Sequence, residues 1–179
     1  MLKKVVFFAA AAIAMIFGQA HCAERARDPH ATAALYANSL LLGAKLGAKS
    51  GAEQGKTPPS VLTCLQALDA SRLTDLVESV LAANLTPAEL QTADEFFESS
   101  AGKKYAALGT LDLYLSAGET PPQDAPNISP EENAEIADFN GSTTSKKLWN
   151  VLNGEPARRV FGTRLVALEK SCGVGKRKQ

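Results

Sequence analysis

Three cysteines, two histidines and a scatter of carboxylates are the groups from which this chain would have to build any chemistry. Val61, Cys64, Leu65 and Leu68 recur at helical spacing, as do Phe161, Leu165, Leu168 and Cys172, so both thiols are expected to point inward from amphipathic helices. Cys64 and Cys172 then form the obvious disulfide, tying the second helix to the last. A bridge across that length of chain is worth roughly 4 to 5 kcal/mol on chain-entropy grounds, an upper figure. The competing role, a redox-active or nucleophilic thiol, would call for a Cys-x-x-Cys pair or a histidine partner, and the sequence offers neither.

His21 lies in a segment that a processed chain would shed, and His30, in the first turn of a helix, is expected to face solvent. One imidazole does not make a metal site, and no metal or other cofactor is expected. The sequence carries no HExxH, G-x-S-x-G, P-loop or dinucleotide fingerprint. Carboxylates leave one enzymatic reading. Asp94, Glu95 and Glu98, together with Glu131, Glu132, Glu135 and Asp138, could face each other across a groove. Paired acids cleave glycosidic bonds when their surroundings separate their pKa values, with peptidoglycan as the substrate. Acids early in helices also answer the helix dipole and sit in water. On that reading no catalytic residue is assigned.

The elements that position these groups are helices, and the clearest signal is an internal echo. Residues 85–104 read LTPAELQTADEFFESSAGKK, and residues 128–147 read ISPEENAEIADFNGSTTSKK. Six of the 22 aligned positions from Leu85 and Ile128 are identical, which fits a duplication and equally fits convergent helix punctuation. Thr86-Pro87-Ala88-Glu89 and Ser129-Pro130-Glu131-Glu132 are capping boxes: the hydroxyl accepts an N–H three residues on while the glutamate reaches back. Ala93 with Phe96, and Ile136 with Phe139, are placed to plug a shared core. Gly102 and the run Gly141-Ser142-Thr143-Thr144 break each copy before Lys103-Lys104 or Lys146-Lys147 begins a further helix. Leu108, Leu111 and Leu115 provide the inner face in one copy, and Leu148, Val151 and Leu152 in the other. Each unit, 85–117 and 128–153, reads as a helical hairpin.

Around these units the chain supplies more helix. Asp28 and Pro29 can open a first helix reaching about Gln54, Pro58 and Pro59 stop it, and Ser60 can cap a second. Ser71 starts a third, in which Leu73, Leu76, Val77, Val80 and Leu81 form an apolar stripe. Gly154 ends the penultimate helix and Pro156 opens the last. The sum is an all-α, single-domain bundle of about seven helices over residues 23–172, with a basic tail at 173–179.

Within the first helix Gly43, Gly47, Gly51 and Gly55 recur every four residues. Four glycines on one face ask for a reason, since each costs roughly 1 kcal/mol relative to alanine. Close internal packing, a face for a partner or a second copy, and a frayed helix are the three readings, and this face is the first candidate interaction surface. Arg158, Arg159 and Arg164 on the last helix form the second, suited to an acidic partner. Trp149, Tyr36, Tyr105 and Tyr114 read as core or boundary residues, or as exposed anchors.

Lys3 and Lys4 precede an apolar run at 5–17 that is too short to span a bilayer, the pattern of a secretory signal peptide over residues 1–22. Cleavage after Ala20, Cys22 or Ala23 is open, and Gln19, Ala20 and His21 make a poor lipobox before Cys22. Periplasmic localisation follows, without stable membrane insertion, in a compartment where disulfides persist. The whole chain balances 19 basic against 19 acidic residues. Losing Lys3 and Lys4 leaves it slightly acidic, too near neutrality for electrostatic capture of nucleic acid.

Thr86, Glu89, Leu90, Phe96 or Phe97, and Ser99 or Ser100 with Gly102, Lys103 and Lys104 resemble the signature of a family of small exported bacterial proteins known as a domain of unknown function. The resemblance covers some 20 residues, or about 65 with the second copy, and implies a helical, periplasmic, non-enzymatic protein without catalytic residues to carry over. The glycine stripe and the Cys64/Cys172 pair depart from its pattern. By class alone, the chain is also similar to immunity proteins that neutralise cell-wall amidases delivered by type VI secretion. The expected function is therefore non-catalytic binding of a protein partner in the periplasm, with immunity as the specific alternative and a wall glycosidase as the distant one.

Overall fold

A computed structural model describes residues 30–173. The leader, the Asp28-Pro29 helix opening and the tail after Gly173 lie outside the described residues. The described residues form eight helices and no strand: α1 (Ala31–Glu53), α2 (Pro59–Gln66), α3 (Ser71–Asn84), α4 (Pro87–Glu98), α5 (Ser100–Ser116), α6 (Pro130–Gly141), α7 (Thr143–Asn153) and α8 (Glu155–Ser171). The fold is all-α, with one helix more than the periodicity suggests.

The central helix, α1, is capped by its neighbours. His30 at the N-cap makes no side-chain cap; instead Asp94 of α4 accepts the Thr32 N–H at 2.9 Å, and Glu78 of α3 accepts the His30 N–H at 3.0 Å. Two carboxylates thus meet the positive end of the helix dipole. Along the helix, Ala33 and Ala37 are fully buried and join Leu41 in one core with Leu73, Val77 and Leu81 of α3. Small side chains there let the two helices approach.

At its far end α1 stops earlier than its prolines require. Gly55 adopts φ +68°, donating to the Ala52 carbonyl at 2.9 Å, while Lys56 donates to the Gly51 carbonyl at 2.7 Å. This is a Schellman termination, which only a residue tolerant of left-handed backbone makes without strain. Pro58 and Pro59 therefore open α2 as its N-cap and first residue, and Ser60 is not its cap.

The two echoed units fold as hairpins with single-residue corners. Ser99 (φ −68°, ψ 165°) closes α4 and caps α5, its Oγ accepting the Gly102 N–H at 3.1 Å. Ser142 (φ −67°, ψ 156°) does the same for α6 and α7 through the Ser145 N–H at 3.0 Å. The lysine pairs consequently lie inside the second helices, and Gly102 and Gly141 are helical rather than breaks. Gly102 instead makes room for the corner: a Cβ built there would lie 1.8 Å from the Phe96 carbonyl oxygen, so the tight turn admits no side chain.

The hairpins then pack on each other reciprocally. Both capping boxes form as read. Lys104 of the first unit binds Glu132 of the second at 2.6 Å, and the equivalent Lys147 of the second binds Glu89 of the first at 2.7 Å. The equivalent rings Phe96 and Phe139 also stack across the two units, 3.8 Å apart and within 7° of parallel. Equivalent residues meeting each other, and unlike partners exchanging across, is the contact pattern of an isologous two-fold interface, here inside one chain.

Cys64 and Cys172 are joined in a disulfide, their Cα atoms 5.5 Å apart, which fastens α2 to the end of α8. Both are half-buried, beside the interior that Val61 and Leu65 of α2 and Phe161 and Leu168 of α8 occupy fully.

Candidate functional site: a cavity between α1, α5 and α7

The helix that follows the reciprocal interface is poorly covered. Beyond Gly102 no residue of α5 is fully buried, and Leu115, read as inward-facing, is 56% exposed. One side of α5 borders a cavity of about 360 Å³ whose other walls are α1 and α7, with Phe97 of α4 contributing. From α1 come Thr32, Leu35, Tyr36 and Ser39, at spacings of three and four that put them on one face. Tyr105, Ala106, Gly109 and Asp112 line it from α5, and Leu148, Trp149 and Leu152 from α7.

The repeat explains the space. In the register that aligns Phe96 with Phe139, Tyr105 matches Leu148, Ala106 matches Trp149 and Gly109 matches Leu152, and all six border the cavity. At the last two of these pairs bulk is present on α7 and missing on α5. Around Gly109 a Cβ would meet nothing within 4 Å. Volume and apolar, aromatic lining place the cavity among small-molecule sites, which typically run from about 300 to 1,000 Å³.

Its polar groups are few. The Tyr36 hydroxyl donates to the Leu152 carbonyl at 3.0 Å, bracing α1 against α7, and burial raises its pKa. Ser39 donates to the Leu35 carbonyl at 3.1 Å. Thr32 is 2% exposed, and its Oγ1 has no hydrogen-bond partner among the described residues. A buried hydroxyl left open is uncommon and asks for a reason. Asp112 is exposed at the rim and takes part in no ion pair among the described residues.

The residues singled out by sequence fall elsewhere. Gly43 and Gly47 are exposed on α1 and a Cβ at either would meet nothing within 4 Å, so close internal packing is not their role; Gly51 lies against Thr57, and Gly55 ends the helix. The helix is continuous through Glu53. Arg158 and Arg159 lie 3.7 and 3.2 Å from Glu155 on their own helix, and Arg164 donates to the Arg72 carbonyl at 3.3 Å. His30 is not free in solvent: its Nδ1 is 2.5 Å from Asp94.

Most of the acids considered for glycoside cleavage have structural partners. Asp94 caps α1, Glu95 accepts from Gln91 at 2.8 Å, and Glu135 accepts from Ser99 at 2.5 Å. Glu131 accepts from the Ser129 hydroxyl at 2.7 Å, which lowers its pKa. Lys104 first, then the Ser129 backbone N–H and the Ser100 hydroxyl, hold Glu132 down to about 2. Its partner across the interface, Glu89, is likewise held to about 2, by Lys147 first and then Thr86. Such shifts oppose a general acid, which must keep its proton near neutrality. Glu98 and Asp138 are simply exposed. Among the described residues no cluster of three His, Cys, Asp or Glu could hold a metal ion.

Sequence reasoning passed over the cavity because its residues read as ordinary packing. The 22 aligned positions end on the exchange of Ala106 for Trp149, and three more reach Gly109 against Leu152, the signal that points to the space. Comparison of the chain with protein-family models, with curated proteins and with solved structures finds no match.

Proposed function

We propose that this chain is an exported, non-catalytic binding protein that works through the preformed cavity between α1, α5 and α7. The observation that carries the reading is the cavity itself: about 360 Å³, walled by aromatic and aliphatic side chains and fixed between braced helices. Supporting it, five of the seven carboxylates available for catalysis are engaged by hydrogen bonds or ion pairs within the fold. Export is supported by the Lys3-Lys4 leader, by the Cys64–Cys172 bridge, and by the finding that no described helix is long and apolar enough to cross a membrane.

The test uses N-phenyl-1-naphthylamine, a neutral apolar fluorophore. The full chain, recovered oxidised from the cell envelope, is expected to enhance its emission saturably at one dye per chain. Gly109→Phe adds a ring at a position where a Cβ meets nothing within 4 Å, and should abolish the enhancement while leaving the unfolding midpoint unchanged or higher. Absence of saturable enhancement, or enhancement that survives Gly109→Phe, rejects the cavity as the binding site.

A further inference from the structure

Resting on the cavity reading, we infer the class of its ligand: a small amphipathic organic cation, with an alkyl or aryl body inside and an ammonium or quaternary ammonium head at the mouth. Three features of the lining point there together. The lining includes Tyr36, Tyr105 and Trp149, aromatic residues of the kind that attract cations over their ring faces. The one ionisable carboxylate in the lining is Asp112, exposed and unpaired among the described residues, and none of the described lining residues is Lys, Arg or His. Among the described lining residues the only formal charge at the mouth is therefore negative.

Orientation follows from depth. Asp112 is exposed, whereas Leu148 and Leu152 are 0% and 1% exposed, so the charged end stays near water and the apolar end goes inward. A head at the rim keeps most of its hydration, and the body contributes by leaving water. An anionic amphiphile of the same length would meet the like charge of Asp112 at the rim.

Trp149, the only tryptophan of the chain, lines the cavity and reports occupancy directly. The experiment titrates the oxidised full chain with n-octyltrimethylammonium, n-octanol and n-octyl sulfate, each below its micellar concentration, following Trp149 emission. The cation is expected to saturate the response at about tenfold lower concentration than octanol, and the sulfate at about tenfold higher. Asp112→Asn, an exposed and folding-neutral change, should collapse the separation between cation and sulfate while leaving the octanol midpoint in place. Equal midpoints for the three probes, or a ranking indifferent to Asp112→Asn, overturn the cationic class and leave the cavity standing as a neutral apolar site. A Trp149 response to none of them, or one that persists in Gly109→Phe, overturns this inference and the cavity reading together.

Discussion

The two halves of the hairpin pair behave as opposites. At the corners, equivalent residues answer each other: Glu89 and Glu132 cap their own helices and take lysines from the other unit, while Phe96 and Phe139 stack between them. One turn further on, equivalent residues no longer match in size. α5 runs for 17 residues against 11 in α7, and Ala106 and Gly109 stand where the second unit has Trp149 and Leu152. Symmetry closes the first region and its violation opens the second. The lesson is that binding space here comes from divergence between like elements, beside an interface that holds them rigidly enough for the space to persist.

The sharpest way to break that contrast is to delete one ring of the stack. Phe96 is 6% exposed and touches Phe97, Tyr105 and Phe139, so Phe96→Ala should cost about 3 to 5 kcal/mol in urea unfolding. Leu113→Ala, on the half-exposed part of α5, should cost about 1 kcal/mol or less. A cycle adding Phe139→Ala should show coupling of about 0.5 to 1.5 kcal/mol between the equivalent rings. Similar losses for Phe96→Ala and Leu113→Ala would mean the two regions share one stability and the division is false.

The locked region was legible in sequence and the open one was not, for a physical reason. Capping boxes, Phe spacing and the Ser residues at the breaks are local devices, whose meaning survives without knowing the partner helix. The Cys64–Cys172 pairing was legible for a simpler reason: once Cys22 is assigned to an expected leader, these two are the cysteines that remain. By contrast, Asp94 capping α1 from α4 is non-local, and nothing in Asp28-Pro29-His30 announces it. Leu115 follows helical periodicity and still faces water, because periodicity reports a helix face and not whether another helix reaches it. The cavity is an absence of side chains at Ala106 and Gly109, and a glycine in a helix reads equally as packing contact or as free space. Gly43 and Gly47 show how that ambiguity misleads.

Two glycines on α5 turn the contrast into opposite signs. Gly102→Ala would drive a Cβ into the Phe96 carbonyl at the corner, and the backbone must open, a cost of about 2 to 3 kcal/mol. Gly109→Ala meets nothing within 4 Å and removes the conformational freedom of glycine from a helix interior, so it should add up to about 1 kcal/mol. Thermal and urea unfolding of the two variants check both, and N-phenyl-1-naphthylamine should still bind Gly109→Ala, since a methyl leaves most of the space open. Destabilisation by both substitutions would show that α5 is held as tightly at position 109 as at the corner.

The gentlest perturbation is acid, because the ion pairs of the locked region are partly in water: the carboxylates of Glu89 and Glu132 are 28% and 16% exposed. Both are held to about 2 from an ordinary 4.5, so their bonds to Lys147 and Lys104 favour the folded chain fully above pH 4.5. That contribution is lost as pH falls from 4.5 toward 2. Urea midpoints should decline over that window, and the combined variant Glu89→Gln with Glu132→Gln should flatten the decline, since an amide keeps a cap but cannot titrate. Salt at about 0.5 M should reduce the wild-type slope without abolishing it, because the caps to backbone N–H groups are shielded better than the lysine contacts. A double variant that keeps the full acid slope would place the titrating carboxylates outside the two-fold interface, and would remove electrostatics from what distinguishes the closed region from the open one.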